Sequence, residues 1–374
     1  MGKDLIEPKI YWVGFNLVRG IGAARMQALM DHFGDVGLAW HAPADALRAA
    51  GLGTKVVENF LQVRSNVDLE LVWQQIQARG IKVVISEEVE YPVRLKEIEL
   101  PPPVLYVQGD LQAEDEWAVA IVGTRRLTAY GRQVTTEIAS MLARSGVSVV
   151  SGLARGIDGV AHKAALEAGG RTLAVLGSGV DRIYPPEHRK LAGEISRSGA
   201  LISDYAPGTP PDGLNFPPRN RIIAGLSLAV VVVEAGESSG ALITAKFAAD
   251  QGREVFAVPG SITAPQSQGT NKLIQQGASP LLDPAEVLEA LNLRRVHQYQ
   301  AARKTLPADE TELRLLNMLS QVPMHVDEIS NQTDLPIEIV SATLTMLELK
   351  GLARQVGGMN YIAVRELEEN YGVE

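Results

Sequence analysis

From Gly80 to Val258 the chain alternates short apolar runs with amphipathic stretches, and this alternation limits the fold more than any other feature. The runs are Lys82–Ser86, Val104–Val107, Val119–Val122, Val147–Ser151, Thr172–Leu176, Leu201–Ser203, Ala229–Val233 and Glu254–Val258. Helical patterns such as Tyr130–Arg144, Asp158–Ala168 and Ala241–Gln251 lie between many of them. Strands apolar at nearly every position are covered on both faces, and strands interleaved with helices form parallel sheets. The prediction is a Rossmann-like, doubly wound α/β domain over residues 76–292.

The flanks read differently. Residues 1–75 pattern as short helices broken by the turns Arg19-Gly20-Ile21-Gly22 and Gly51-Leu52-Gly53, each leading into a helix. An apolar residue between two glycines before a helix suggests an all-α helix-hairpin-helix or SAM-like domain. Its turns could hold a DNA phosphate or serve packing alone. Few basic residues flank them, which favours packing. Residues 293–309 are polar and read as a linker. Residues 310–374 order as helix, helix, helix and hairpin (Glu312–Leu319, His325–Gln332, Pro336–Lys350, then Leu352–Val356 and Tyr361–Val364), the order of a winged helix.

Composition excludes some chemistry. The chain has no cysteine, which removes disulfides, thiolate zinc sites and a cysteine nucleophile, and fits a reducing cytoplasm. The start, MGKDLIEPKI, lacks the apolar segment of a signal peptide. The longest apolar run, Leu228–Val233, is far below the ~20 residues of a membrane span. A net charge of −9 argues against nucleic acid at first sight. The balance is uneven, however: Ala118–Gly260 carries 15 Lys/Arg against 12 Asp/Glu. A local basic excess marks where an anion would bind.

Parallel sheets place ligands at the carboxyl ends of their strands. Four junctions there are rich in small residues: Gly123-Thr124-Arg125-Arg126, Ser151-Gly152-Leu153-Ala154-Arg155-Gly156-Ile157-Asp158, Gly177-Ser178-Gly179, and Gly236-Glu237-Ser238-Ser239-Gly240. Without a Cβ, backbone amides can approach an anion, and a helix start adds partial positive charge. Arg125, Arg155, Arg219, Arg221 and Lys246 fall in or beside these turns. Single glycine turns are explained by strand-to-helix geometry; four with nearby cations point to a phosphate-binding surface. Phe216-Pro217-Pro218-Arg219-Asn220-Arg221 adds an aromatic beside rigid prolines and two arginines. Read as a loop, it could stack a base while gripping a phosphate, or simply anchor Phe216.

Mononucleotide chemistry fits less well. No G-x-x-x-x-G-K-[ST] occurs, and Gly177-Ser178-Gly179 lacks the third glycine of a dinucleotide fingerprint, with Tyr184-Pro185-Pro186 breaking the helix that should follow. The six histidines are scattered, so no metal site, cofactor or nucleophilic triad is expected. His162 lies one helical turn beyond Asp158 and could face a ligand or pack a helix.

Together these motifs resemble the DNA-processing protein A (DprA/Smf) family. The ordered set continues with Tyr184-Pro185, Ile222-Ile223-Ala224-Gly225-Leu226-Ser227, Glu234-Ala235, Val258-Pro259-Gly260-Ser261 and Gly269-Thr270-Asn271-Lys272-Leu273-Ile274. The resemblance implies a non-catalytic protein that protects incoming single-stranded DNA in natural transformation and loads RecA onto it. It implies a homodimer through the Rossmann-like domain and DNA in a basic pocket. By motif, the DNA-binding set is Gly123, Thr124, Arg125, Ser151, Gly152, Arg155, Gly156, Gly177, Gly179, Phe216, Arg219, Asn220, Arg221, Ser239, Gly240 and Lys246. Arg125→Ala and Arg219→Ala should each weaken DNA binding without unfolding the protein. Asn271, Leu273, Ile274 and Leu281 would mark the dimer and RecA surfaces.

Two further expectations follow from the residues. Thr311–Glu374 holds 4 Lys/Arg against 10 Asp/Glu, so its winged helix should contact protein or serve structure and not DNA phosphate. The alternative function is a phosphoribohydrolase-type nucleotide enzyme, to which the central domain has a distant similarity. Gly236-Glu237-Ser238-Ser239-Gly240-Ala241-Leu242-Ile243 lacks that signature's glycine pair and catalytic Glu, which disfavours it.

Overall fold

The structure is a computed structural model and describes residues 8–291, 310–320, 323–333, 335–349, 352–356 and 358–363. It divides into two compact units, Met1–Arg294 and Arg295–Glu374. The linker expected at 293–309 lies outside the described residues.

The first unit opens with helices α1 (Lys9–Asn16), α2 (Ala23–Phe33), α3 (Val36–His41), α4 (Ala44–Ala49), α5 (Thr54–Asn66) and α6 (Leu69–Ala78). Both glycine turns form as read. Gly20 and Gly51 take φ of +101° and +93°, left-handed values that glycine adopts at low cost. Gly22 and Gly53 then stand at the N-caps of α2 and α5. The bundle is held by a ring cluster, with Phe15 5.2 Å from both Trp40 and Phe60 and Trp40 5.0 Å from Phe60.

The α/β part runs β1 (Lys82–Ile85), α7 (Val93–Lys96), β2 (Val104–Gly109), β3 (Ala118–Val122), α8 (Ala129–Arg144), β4 (Ser148–Ser151), α9 (Ile157–Glu167), β5 (Thr172–Val175), α10 (Arg189–Ser198) and β6 (Ala200–Ser203). It continues with α11 (Phe216–Gly225), β7 (Ala229–Val232), α12 (Ala241–Asp250), β8 (Glu254–Ala257), α13 (Gln268–Gln275), β9 (Ser279–Pro280) and α14 (Ala285–Ala290). The sheet order is β1-β2-β6-β5-β4-β3-β7-β8-β9. From β6 to β9 all neighbours are parallel. The first two runs depart from the expected pattern: β1 pairs β2, and β2 pairs β6, antiparallel. Strand β9 gave no apolar signal, being two residues long and ending in Pro280 at the sheet edge, where proline is tolerated.

Alternation divides the sheet between two cores. Val83, Ile85, Val104 and Tyr106 join the cluster built by the N-terminal helices, whereas Val84, Leu105 and Val107 join Ile222, Ile223, Val230 and Ala245 on the other face. The helical bundle therefore shares its core with the sheet. Polar ties reinforce the junction: Asn16 donates to the Asp204 carbonyl at 3.2 Å and accepts from the Tyr106 hydroxyl at 3.0 Å, and Arg79 pairs with Asp181 at 2.7 Å.

The second unit contains α15 (Glu310–Met318), β10 (Met324–His325), α16 (Val326–Thr333), α17 (Ile337–Leu349), β11 (Ala353–Gln355) and β12 (Asn360–Ala363). Its antiparallel sheet is ordered β10-β12-β11 over a core of Leu315, Ile329, Val340, Leu344 and Leu347. This is the helix and hairpin order read from the sequence.

Candidate functional site

The chain steps from β3 through β4 and β5 to β6 on one side, then returns to place β7 against the other side of β3. Connections leaving β3 and β7 diverge, opening a crevice where such sheets bind ligands. The Thr124 amide donates to the Glu234 carbonyl at 2.7 Å, so the two strand ends stay joined up to the point of divergence. Above them lies a cleft of about 800 Å³. Thr124, Arg125 and Arg126 line one side, Gly236 and Ser238–Gly240 another, with Phe216, Arg219 and Asn220 from α11 and Tyr184 from the β5–α10 loop completing it.

The glycines in the turns serve close packing more than an open cradle. A Cβ on Gly123 would fall 2.5 Å from the Ile157 side chain, and one on Gly156 would fall 2.2 Å from the Thr124 carbonyl. Gly177 leaves room for the Phe216 ring, 2.9 Å from where its Cβ would be. Gly179 packs against Ala206 and Gly208 and donates to the Thr209 carbonyl at 3.0 Å. Neither Gly177 nor Gly179 lines the cleft. Ser151 is buried, its hydroxyl donating to the Ile121 carbonyl at 2.6 Å. Gly240 is different: nothing lies within 4 Å of its Cβ position, and it caps α12 at the cleft wall.

Two of the expected anion cradles already hold carboxylates of the protein. The amides of Gly152 and Ala154 donate to Asp158 Oδ2 at 3.1 and 3.3 Å. Burial pushes the Asp158 carboxyl up, and the Arg219 guanidinium beside it opposes that shift. At the start of α8, Glu234 is buried and accepts from the Thr128 amide at 3.0 Å and the Thr128 hydroxyl at 2.5 Å. Thr128 caps the helix by accepting from Gly131 N at 3.1 Å. Gly131 must be glycine here, because a Cβ would sit 2.2 Å from the Glu234 carboxylate.

The arginines sort by burial. Phe216–Gly225 is helix α11 and not the loop read from its sequence; Pro217 and Pro218 fall in its first turn, where a missing amide hydrogen costs nothing. Arg219 thereby points inward: it is 4 % exposed, and its Nη1 donates to the Gly152 carbonyl at 2.9 Å and also to the Val175 carbonyl. Burial lowers its pKa to about 10, so it stays charged. Arg221 pairs with Asp204 at 3.1 Å, donates to the Leu100 carbonyl and does not line the cleft. Lys246 lies outside the cleft on α12, paired with Asp250 at 2.6 Å. Arg155 also lies outside it, paired with Glu187. Arg125 and Arg126 remain exposed in the cleft, with no carboxylate partner among the described residues. The Arg125 guanidinium stands 5.7 Å from the Phe216 ring centre.

Arg126, Tyr184, Ser238 and Thr244 line the cleft but were absent from the residues expected by motif. Arg126 had a signal in its own turn. Tyr184 stood in the Tyr184-Pro185 motif and among helix-breaking prolines, but neither gave it a contact role. Asn220 was expected, and it lines the cleft while donating to the Gly240 carbonyl at 3.3 Å.

His162 is a packing residue. The Thr172 hydroxyl donates to the Val149 carbonyl at 2.7 Å, so the 2.7 Å contact from His162 Nδ1 to that oxygen requires a proton on Nδ1. Burial drops its pKa to about 3.

Of the residues expected on a protein-contact surface, Asn271 both accepts from the Gly260 amide (3.2 Å) and donates to its carbonyl (3.0 Å), pinning the loop before α13. Leu273 lines a groove of about 570 Å³ with Leu242, Val255 and Lys272. Ile274 is half-buried. Leu281 is 5 % exposed and belongs to the core; its neighbour Leu282, at 75 %, is the exposed one. No group of three or more potential metal ligands occurs among the described residues. No helix there is long and apolar enough to cross a membrane.

The sequence of the α/β part, residues 82–292, matches the family model of DNA recombination-mediator protein A, and residues 300–359 match the DprA winged helix domain. Protein Smf of Synechocystis sp. is 36 % identical across 94 % of this chain and 98 % of its own length. The X-ray structure of DNA processing protein A from Streptococcus pneumoniae superimposes with a TM-score of 0.67 at 32 % identity, covering 75 % of this chain and 97 % of that one. DNA processing protein A from Helicobacter pylori, described for its single-stranded DNA binding mode, gives a TM-score of 0.52 at 31 % identity, covering 57 % and 95 %.

Proposed function

The chain belongs to the DNA recombination-mediator protein A family, and on that footing we propose that it binds single-stranded DNA in the β3–β7 cleft. The observation that carries this reading is the pair Arg125 and Arg126, exposed beside an aromatic ring at a sheet switch point and without a carboxylate partner among the described residues. Cations without internal partners are free to neutralise phosphates, and a ring beside them offers a stacking surface tolerant of sequence. Single-stranded DNA binding in the Helicobacter pylori relative supports the same reading.

The contact set narrows accordingly. Arg125, Arg126, Ser239, Gly240, Asn220 and Phe216 face the strand, whereas Arg219, Asp158 and Glu234 hold the cleft in shape. The role is binding and hand-over in the cytoplasm, without catalysis: protection of incoming single strands in transformation, followed by loading of RecA. A homodimer forms through the α/β domain, with Leu273, Ile274 and Leu282 at the contact surface. The domain limits proposed are 1–75, 76–292, 293–309 and 310–374, although the first two fold on a shared core. Arg125→Ala with Arg126→Ala should abolish most oligo-dT binding, measured by fluorescence anisotropy at low salt, with an unchanged melting temperature. Wild-type affinity in that double variant would remove the cleft from the account.

A further inference from the structure

The aromatic most open to a base in the free protein is not Phe216. That ring is half-buried and has two guanidiniums over it, Arg125 at 5.7 Å and Arg219 at 5.8 Å from its centre. Tyr184 lies next to it, ring centres 5.8 Å apart and planes tilted by 42°. Tyr184 is 36 % exposed, lines the cleft, and has no cation over its ring among the described residues.

We propose that Tyr184 is a base-stacking residue of the cleft, continuing the Phe216 surface. This rests on the reading of the cleft as a single-strand site. A stacking ring acts on the base alone, because every base has a π-face whatever its edges carry. A cation acts on the phosphate and is indifferent to the base. The two contributions therefore separate when the bases are removed and the phosphates kept.

The experiment uses the full-length protein, an oligo-dT, and an abasic oligonucleotide of the same length and backbone. Tyr184→Ala should weaken oligo-dT binding about tenfold, in line with loss of one stacked base, and leave abasic binding unchanged. Tyr184→Phe should keep wild-type affinity for oligo-dT, since the ring persists. In Tyr184→Trp, added fluorescence should be quenched by oligo-dT and not by the abasic strand, a readout that does not depend on stability. Equal loss on both polymers in Tyr184→Ala, or no loss on either, would overturn the proposal. Arg125→Ala serves as the separate arm and should weaken both polymers alike. If it weakens neither, the cleft reading fails; if it weakens both while Tyr184→Ala is silent, only the stacking assignment fails.

Discussion

Arg125 and Arg219 both stand over the Phe216 ring, yet they differ in what their loss would do. Arg125 is exposed and has no carboxylate partner among the described residues, so its removal should cost affinity and not stability. For a single strand, one phosphate contact fewer should reduce the log-affinity against log-salt slope by about 0.7. Arg219 was expected to behave alike and should not, because its guanidinium is buried on the Gly152 and Val175 carbonyls beside buried Asp158. Arg219→Ala leaves the Gly152 and Val175 carbonyls without their buried donor and should cost about 1–3 kcal/mol, read by urea unfolding, with any loss of binding following from a disordered cleft. A melting temperature equal to wild type would contradict this role. His162 makes stability depend on pH. Burial holds its pKa at about 3, below the unfolded value near 6.5, so the unfolded chain binds the extra proton first. Its contribution is fully present above about pH 6.5 and is lost between there and about pH 3, at up to about 1.4 kcal/mol per pH unit. A His162→Gln variant should show a shallower fall in stability over that window than wild type.

At the scale of elements, Glu234 at the end of β7 joins the cleft to its scaffold by binding Thr128 at the start of α8. Glu234→Gln should loosen the first turn of α8, seen as faster amide exchange at Ala129–Gln133, and Gly131→Ala should do so more severely by clashing with the carboxylate. Unchanged exchange in both would show that α8 does not depend on this cap. The strands and helices themselves were legible because burial on both faces demands continuous Val, Ile, Leu and Ala, as in β3, where all five residues are buried. What the residue pattern could not reveal was direction: antiparallel β1 and β2 are as apolar as their parallel neighbours. Nor could it reveal that Phe216–Gly225 is helical, since paired prolines mark a helix start as readily as a loop. That one misreading decides the arginines, because a helix turns Arg219 inward and carries Arg221 away from the cleft. Glycine and acid spacing had the same ambiguity. Gly152 and Asp158 read as an anion site, and the anion proves to be Asp158.

For the whole molecule, the chain separates by contact into two units. The exposed side of α17 presents Glu338, Ile339 and Met346, with no cation among its described residues, a surface that suits protein better than phosphate. A chain ending at residue 294 should therefore bind oligo-dT as well as the full protein; a large loss would assign the winged helix a DNA contact. The N-terminal helices, by contrast, share the sheet's core, so deleting 1–75 should unfold the first unit and not merely trim it. The central claim is that the β3–β7 cleft grips the backbone of a single strand. Its most direct test is the affinity of the purified protein for a fluorescent oligo-dT and for the corresponding duplex across a salt series. Tight binding to the single strand, weakening linearly in log salt, with far weaker binding to the duplex, is the expected result. No binding to oligo-dT at low salt, or equal binding to the duplex, would contradict it.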